Sequence, residues 1–106
     1  MAYASPVLDR IRSALGMKSR AEQVADEDVG WLMSTKQGRR AIWRLLSESG
    51  VFRNPYSGKR EDTDFRCGEM NVGQRLLARV LRVAPHEYVQ MTAEAASEEE
   101  LNKNAS

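Results

Sequence analysis

The sequence contains one cysteine, Cys67, and one histidine, His86, among its 106 residues. A lone thiol excludes an internal disulfide and fits a reducing compartment. One Cys and one His also exclude a zinc site of the common Cys/His type unless two chains share it, so no metal or other cofactor is expected. Long apolar runs are missing: none approaches the about 18 residues that a membrane span requires. The opening Met1-Ala2-Tyr3-Ala4-Ser5-Pro6 lacks the charged-then-apolar layout of a signal peptide, so the chain reads as soluble and not exported. No alternating strand pattern occurs anywhere, which leaves an all-α fold.

Hydrophobic residues make up 42% and charged residues 29%, a balance too apolar for a wholly disordered chain and ordinary for a single small domain. The net charge of +1 conceals a segregation. Residues 1–35 hold four Lys/Arg against five Asp/Glu, residues 36–82 eleven against five, and residues 83–106 one against five. A basic centre is thus followed by an acidic tail, which can stay solvated or lie across the basic face, and the surface carries two signs.

Ser5 and Pro6 make a helix start, Val7, Leu8, Ile11 and Leu15 follow at helical spacing, and Gly16 stands where a helix would end. This short amphipathic helix needs something to pack on. Residues 17–28 read as a polar linker leading into a weak helix with Val29, Trp31, Leu32 and Met33. A second start lies at Ser34-Thr35, with Ser34 and Gln37 at capping-box spacing or Thr35 capping instead. Ala41, Ile42, Leu45 and Leu46 form one face of that helix, and Gly50 ends it with Val51-Phe52 as a hydrophobic latch. Residues 53–64 read as a long surface loop, and a wide apolar stripe from about Thr63 to Val83 marks the central helix. Pro85 stops it and opens a last helix, after which residues 97–106 are expected to fray. The expected architecture is a small bundle of about three core helices plus a separate N-terminal helix. Residues 1–30 would form the helix and linker, 31–96 the core domain and 97–106 an acidic tail.

Gly68 and Gly73 have phosphate-loop spacing, but Gln74 and Arg75 stand where that motif needs lysine and Ser/Thr, so Gly73 reads as a close-packing position in a helix. A Cys67–His86 nucleophile pair lacks any orienting third group. Cys67 reads instead as a small core or interface residue and His86 as a surface residue. A helix-turn-helix needs a turn of three or four residues, far shorter than residues 53–64. The most functional feature is basic: Lys36, Arg39, Arg40 and Arg44 on one helix, and Arg75, Arg79 and Arg82 on the next, form two ridges suited to phosphate-backbone contact or to an acidic protein surface. Trp31, Trp43, Phe52 and Phe65 read mostly as core, whereas Tyr56, between Pro55 and Gly58, reads as exposed and available to a partner.

Several blocks carry a family resemblance: Trp31-Leu32-Met33-Ser34-Thr35-Lys36-Gln37-Gly38-Arg39-Arg40, Trp43-Arg44-Leu45-Leu46, Gly50-Val51-Phe52-Arg53, Phe65-Arg66-Cys67-Gly68-Glu69-Met70-Asn71-Val72-Gly73 and Pro85-His86-Glu87-Tyr88-Val89-Gln90-Met91. In this order they resemble a family of small proteins of short-tailed bacteriophages, encoded near the portal and scaffold genes. The likeness spans about residues 31–93. The family pattern often has proline where this chain has Lys36 and an acidic cap where it has Ala84; both departures weaken helix starts and leave the fold intact. The resemblance implies a non-enzymatic virion or assembly protein, present in many copies, in the particle or in the host cytoplasm during assembly. Its partner would be a phage structural protein of the portal, tail or internal core; the helical spacing of Val7, Leu8, Ile11 and Leu15 and the loop setting of Tyr56 make these the expected docking residues. The alternatives are contact with packaged or translocating DNA through the arginine ridges, and inhibition of a host enzyme.

Overall fold

The computed structural model describes residues 6–53 and 60–105, and these residues form helices and turns with no strand. Five helices follow one another: α1 (Pro6–Ala14), α2 (Arg20–Met33), α3 (Lys36–Glu48), α4 (Arg60–Val83) and α5 (Pro85–Ala105). The all-α expectation holds. The expected Ser5 cap, Tyr56 and Lys59 lie outside the described residues.

Most helix ends follow from local chemistry. Gly16 and Gly50 take left-handed backbone angles, φ +74° and +76°, where a side chain would be strained. Of the two caps offered at the start of α3, Thr35 is the one used: its hydroxyl accepts from the Gly38 amide at 3.0 Å. Only Ala84 separates α4 from α5, and Pro85 occupies the first position of α5, where a missing amide costs nothing.

Three expectations need correction. Residues 20–28 are helical rather than linker: Ser19 caps α2 by accepting from the Glu22 amide at 3.2 Å, and Val29 and Met33 at its far end are buried. The central helix starts at Arg60, so residues 60–64 belong to α4 and shorten the expected loop. The last helix runs on past residue 96 to Ala105. Ala, Glu, Leu and Lys there are strong helix formers, and Lys103 lies 3.9 Å from Glu99 one turn back, at the end of the helix dipole that favours a cation.

The core draws on four helices, not three. Met33 of α2, Leu46 of α3, Val80 of α4 and Met91 of α5 are each almost wholly removed from water, joined by Val29, Ile42 and Ala84. Packing runs α3 on α5, α2 on both α3 and α4, and α4 on both α5 and α3. Gly73 lets α4 approach the end of α3, since a Cβ there would sit on the Ser49 side chain and against Val51. The shortest dimension, 23 Å, leaves room for two layers of helices. The aromatic residues are less buried than their clustering in sequence suggests. Trp31 is 70% and Phe65 69% exposed, while Trp43 is partly buried and stacks on Phe52 with ring centroids 5.4 Å apart. Spacing reveals a stripe but not whether another helix covers it.

Candidate functional site

Two acidic residues organise the basic ridges. Arg39, only 6% exposed, sends Nε to Glu94 Oε1 at 2.7 Å, Nη2 to Glu94 Oε2 at 3.1 Å and Nη1 to the Met33 carbonyl at 2.9 Å. One guanidinium therefore ties the end of α2, the start of α3 and the middle of α5, using the planar fork that lysine lacks. Hydrogen bonding from Arg39 holds the Glu94 carboxyl below its ordinary range, and Glu94 raises Arg39 in return. The second centre is Asp26 on α2. It accepts from Arg82 at 2.7 and 2.9 Å, from Lys18 at 2.8 Å and from Arg79 at 3.0 Å. The hydrogen bonds from Arg82 and then Lys18 hold its carboxyl well below the usual range.

These pairings sort the ridge residues. Arg39 turns inward, and Arg79 and Arg82 clamp α4 to α2. Arg75 stays exposed, with a long contact of 3.4 Å to the Asn71 carbonyl. Lys36, Arg40 and Arg44 are exposed on α3 and enter no ion pair among the described residues. They form one wall of a groove of about 640 Å³ between α3 and α5. The opposite wall is acidic, Glu94, Glu98 and Glu99, and Trp43, Met91 and Ala95 lie along the groove between them.

The acidic partners Asp26 and Glu94 and the acidic wall escape a reading of the sequence. Asp26 is 53 and 56 residues from its arginines, and Glu94 is 55 from Arg39, too far for helical spacing to connect them. The start of α2 does have a local signal, the Ser19-Arg20-Ala21-Glu22 capping box.

The remaining candidates are dispersed. Val7, Leu8, Ile11 and Leu15 are all half or more exposed, and α1 stands apart from the packing that joins the other four helices. Cys67 is exposed on α4, not in the core, and His86 is exposed in the first turn of α5. Gly68 and Gly73 lie within the continuous α4 helix, so no phosphate loop exists there. No group of three or more His, Cys, Asp or Glu able to hold a metal gathers among the described residues, and no described helix is long and apolar enough to cross a membrane.

Taken together, an all-helical scaffold with an uncovered amphipathic helix and a groove of two charges belongs to the class of small helical proteins whose distinguishing features are surfaces. Its family follows from the sequence comparison: residues 29–93 match the model of the Bbp19-like phage proteins, and the chain belongs to that family. The match covers α3, α4, the end of α2 and the first part of α5, and leaves α1 outside. Searches of curated proteins and of solved structures return no match.

Proposed function

We propose that this phage protein is a non-enzymatic virion or assembly component of a short-tailed phage, present in several copies, that docks through α1 onto a larger structural partner of the portal, tail or internal ejection apparatus. The observation that carries this reading is the uncovered apolar face of α1. A nine-residue helix with Val7, Leu8 and Ile11 half or more exposed, and Leu15 just beyond its end, is marginal alone and gains stability by burying that face in a partner. The turn at Gly16 and the short segment before Ser19 let α1 be presented away from the core.

The test is a deletion of residues 1–16, which spares Lys18 and Ser19 because both hold α2 in place. Mass spectrometry of purified particles should find the full chain in fixed stoichiometry and the shortened chain absent. Unchanged incorporation of the shortened chain would overturn the reading.

A second reading, contact with the DNA backbone, is favoured by the exposed Lys36, Arg40 and Arg44. Three of the seven ridge residues, Arg39, Arg79 and Arg82, are already engaged by Asp26 and Glu94, and the acidic wall faces the remaining stripe. A mobility-shift experiment at about 50 mM salt, where counterion release favours binding most, decides it.

A further inference from the structure

The groove between α3 and α5 carries Lys36, Arg40 and Arg44 on one wall and Glu98 and Glu99 on the other. No salt bridge joins Lys36, Arg40 or Arg44 to the acidic wall among the described residues. The three α3 cations have no ion-pair partner among the described residues, and Glu99 lies 3.9 Å from Lys103 on the surface of its own helix. From this we infer that the occupant of the groove is a second copy of the same chain, placed about a two-fold axis. Each copy lays its acidic α5 wall against the other's basic α3 wall.

Charge complementarity selects this occupant. In a two-fold interface, residue i of one copy meets residue j of the other and j meets i, so a surface bearing both signs side by side satisfies both walls with one partner. A polyanion would satisfy only the α3 wall and be repelled by Glu98 and Glu99. A uniformly basic partner meets the converse difficulty.

The shape of α5 points the same way. After Ala95 every described residue of the helix is exposed, including Leu101 at 62%, so its last two to three turns add nothing to the buried core. Ten residues of helix are marginal in water, and a partner that buries Leu101 and pairs the glutamates would stabilise them. Trp43, half-buried at the groove and braced by Phe52, supplies a rigid aromatic at the contact.

This inference is independent of docking through α1, since the shortened chain lacking residues 1–16 keeps the whole groove. The experiment measures the mass of the full chain in solution by sedimentation and light scattering. The expected species has twice the 12.0 kDa chain mass and dissociates as salt is raised. Two charge-reversed variants follow, Arg40→Glu with Arg44→Glu, and Glu98→Lys with Glu99→Lys. All four positions are exposed, and circular dichroism confirms that both variants keep their helices. Each variant alone should be monomeric, because like charges then face each other at both halves of the interface. An equimolar mixture should recover the dimer, because both halves again join opposite charges. A wild-type chain that stays monomeric at every concentration overturns the inference. So does a dimer that survives in either variant alone, or a mixture that stays monomeric. A monomer that is retarded by DNA through Arg40 and Arg44 would assign the α3 wall to nucleic acid instead.

Discussion

Gly68 and Gly73 lie on the same helix and face opposite demands. A Cβ at Gly68 meets nothing within 4 Å, so Gly68→Ala removes backbone freedom from the unfolded chain and should stabilise by about 0.5–1 kcal/mol. At Gly73 the same gain in propensity is opposed by overlap with the Ser49 side chain, including its Cβ at 2.7 Å from the added carbon. That atom cannot rotate away, and overpacking costs about 1–3 kcal/mol, so Gly73→Ala should lower the unfolding midpoint where Gly68→Ala raises it. Urea titrations of the pair check both signs. Asp26 and Glu94 give a pH dependence at the same scale. Both carboxyls are held below their ordinary values in the folded chain, so the folded state binds fewer protons than the unfolded one. The stability they contribute is therefore complete above the unfolded values near about pH 4 and is lost as pH falls through the lower folded ones. Asp26→Asn should weaken the fold at pH 7 and flatten the decline of stability on acidification, measured as urea midpoints at pH 7 and pH 3. A slope equal to that of the unaltered chain would show that the cluster does not hold α2 to α4.

At the scale of elements, α1 and α2 are opposites. The amphipathic α1 is plain in sequence from its spacing and its glycine stop, yet it meets the other helices only slightly and its apolar side chains stay half or more exposed. The polar α2 is hard to see, because Val24 is the one strongly apolar residue before Val29, and its order depends on a cap and on ion pairs formed with α4. Helices that owe their stability to hydrophobic periodicity are legible residue by residue; helices fastened by distant charges are not. Thr35, Gly50 and Pro85 act locally, and their sequence reading matches the structure. The acidic end of α5 was hidden for a related reason: its residues favour helix without marking a buried face. Deleting residues 1–16 should leave stability within about 0.5 kcal/mol, since α1 adds nothing to the core. A thermal midpoint within about 2–4 °C of the full chain would agree, and a larger fall would mean that α1 packs on its own domain.

For the whole molecule, the decisive fact is how little interior there is. Each of four helices lends one large, nearly inaccessible side chain, Met33, Leu46, Val80 and Met91, and many other large apolar residues remain in contact with water. A domain of this size has a margin of about 5–15 kcal/mol, and Leu46→Ala should cost about 2–5 kcal/mol through lost transfer energy and the cavity left behind. Thermal unfolding should show a drop far larger than for Leu45→Ala, one position along on the exposed side of α3. The same economy explains why the surface dominates the functional reading. Net charge, neutral to within one unit, describes this surface poorly, because at the groove between α3 and α5 cations and anions are gathered on facing walls.

The clamp formed by Arg39 also has a consequence for the order in which the chain is made. Synthesis delivers α2 and α3 early, but the guanidinium that fastens their corner has no counter-charge until Glu94 follows, 55 residues later. A buried cation without its partner is strongly unfavourable, so the corner cannot close around Arg39 before α5 exists. A chain interrupted ahead of Glu94 lacks both the carboxylate that pairs Arg39 and the helix that covers it. Closure of this corner therefore waits until synthesis has passed Glu94.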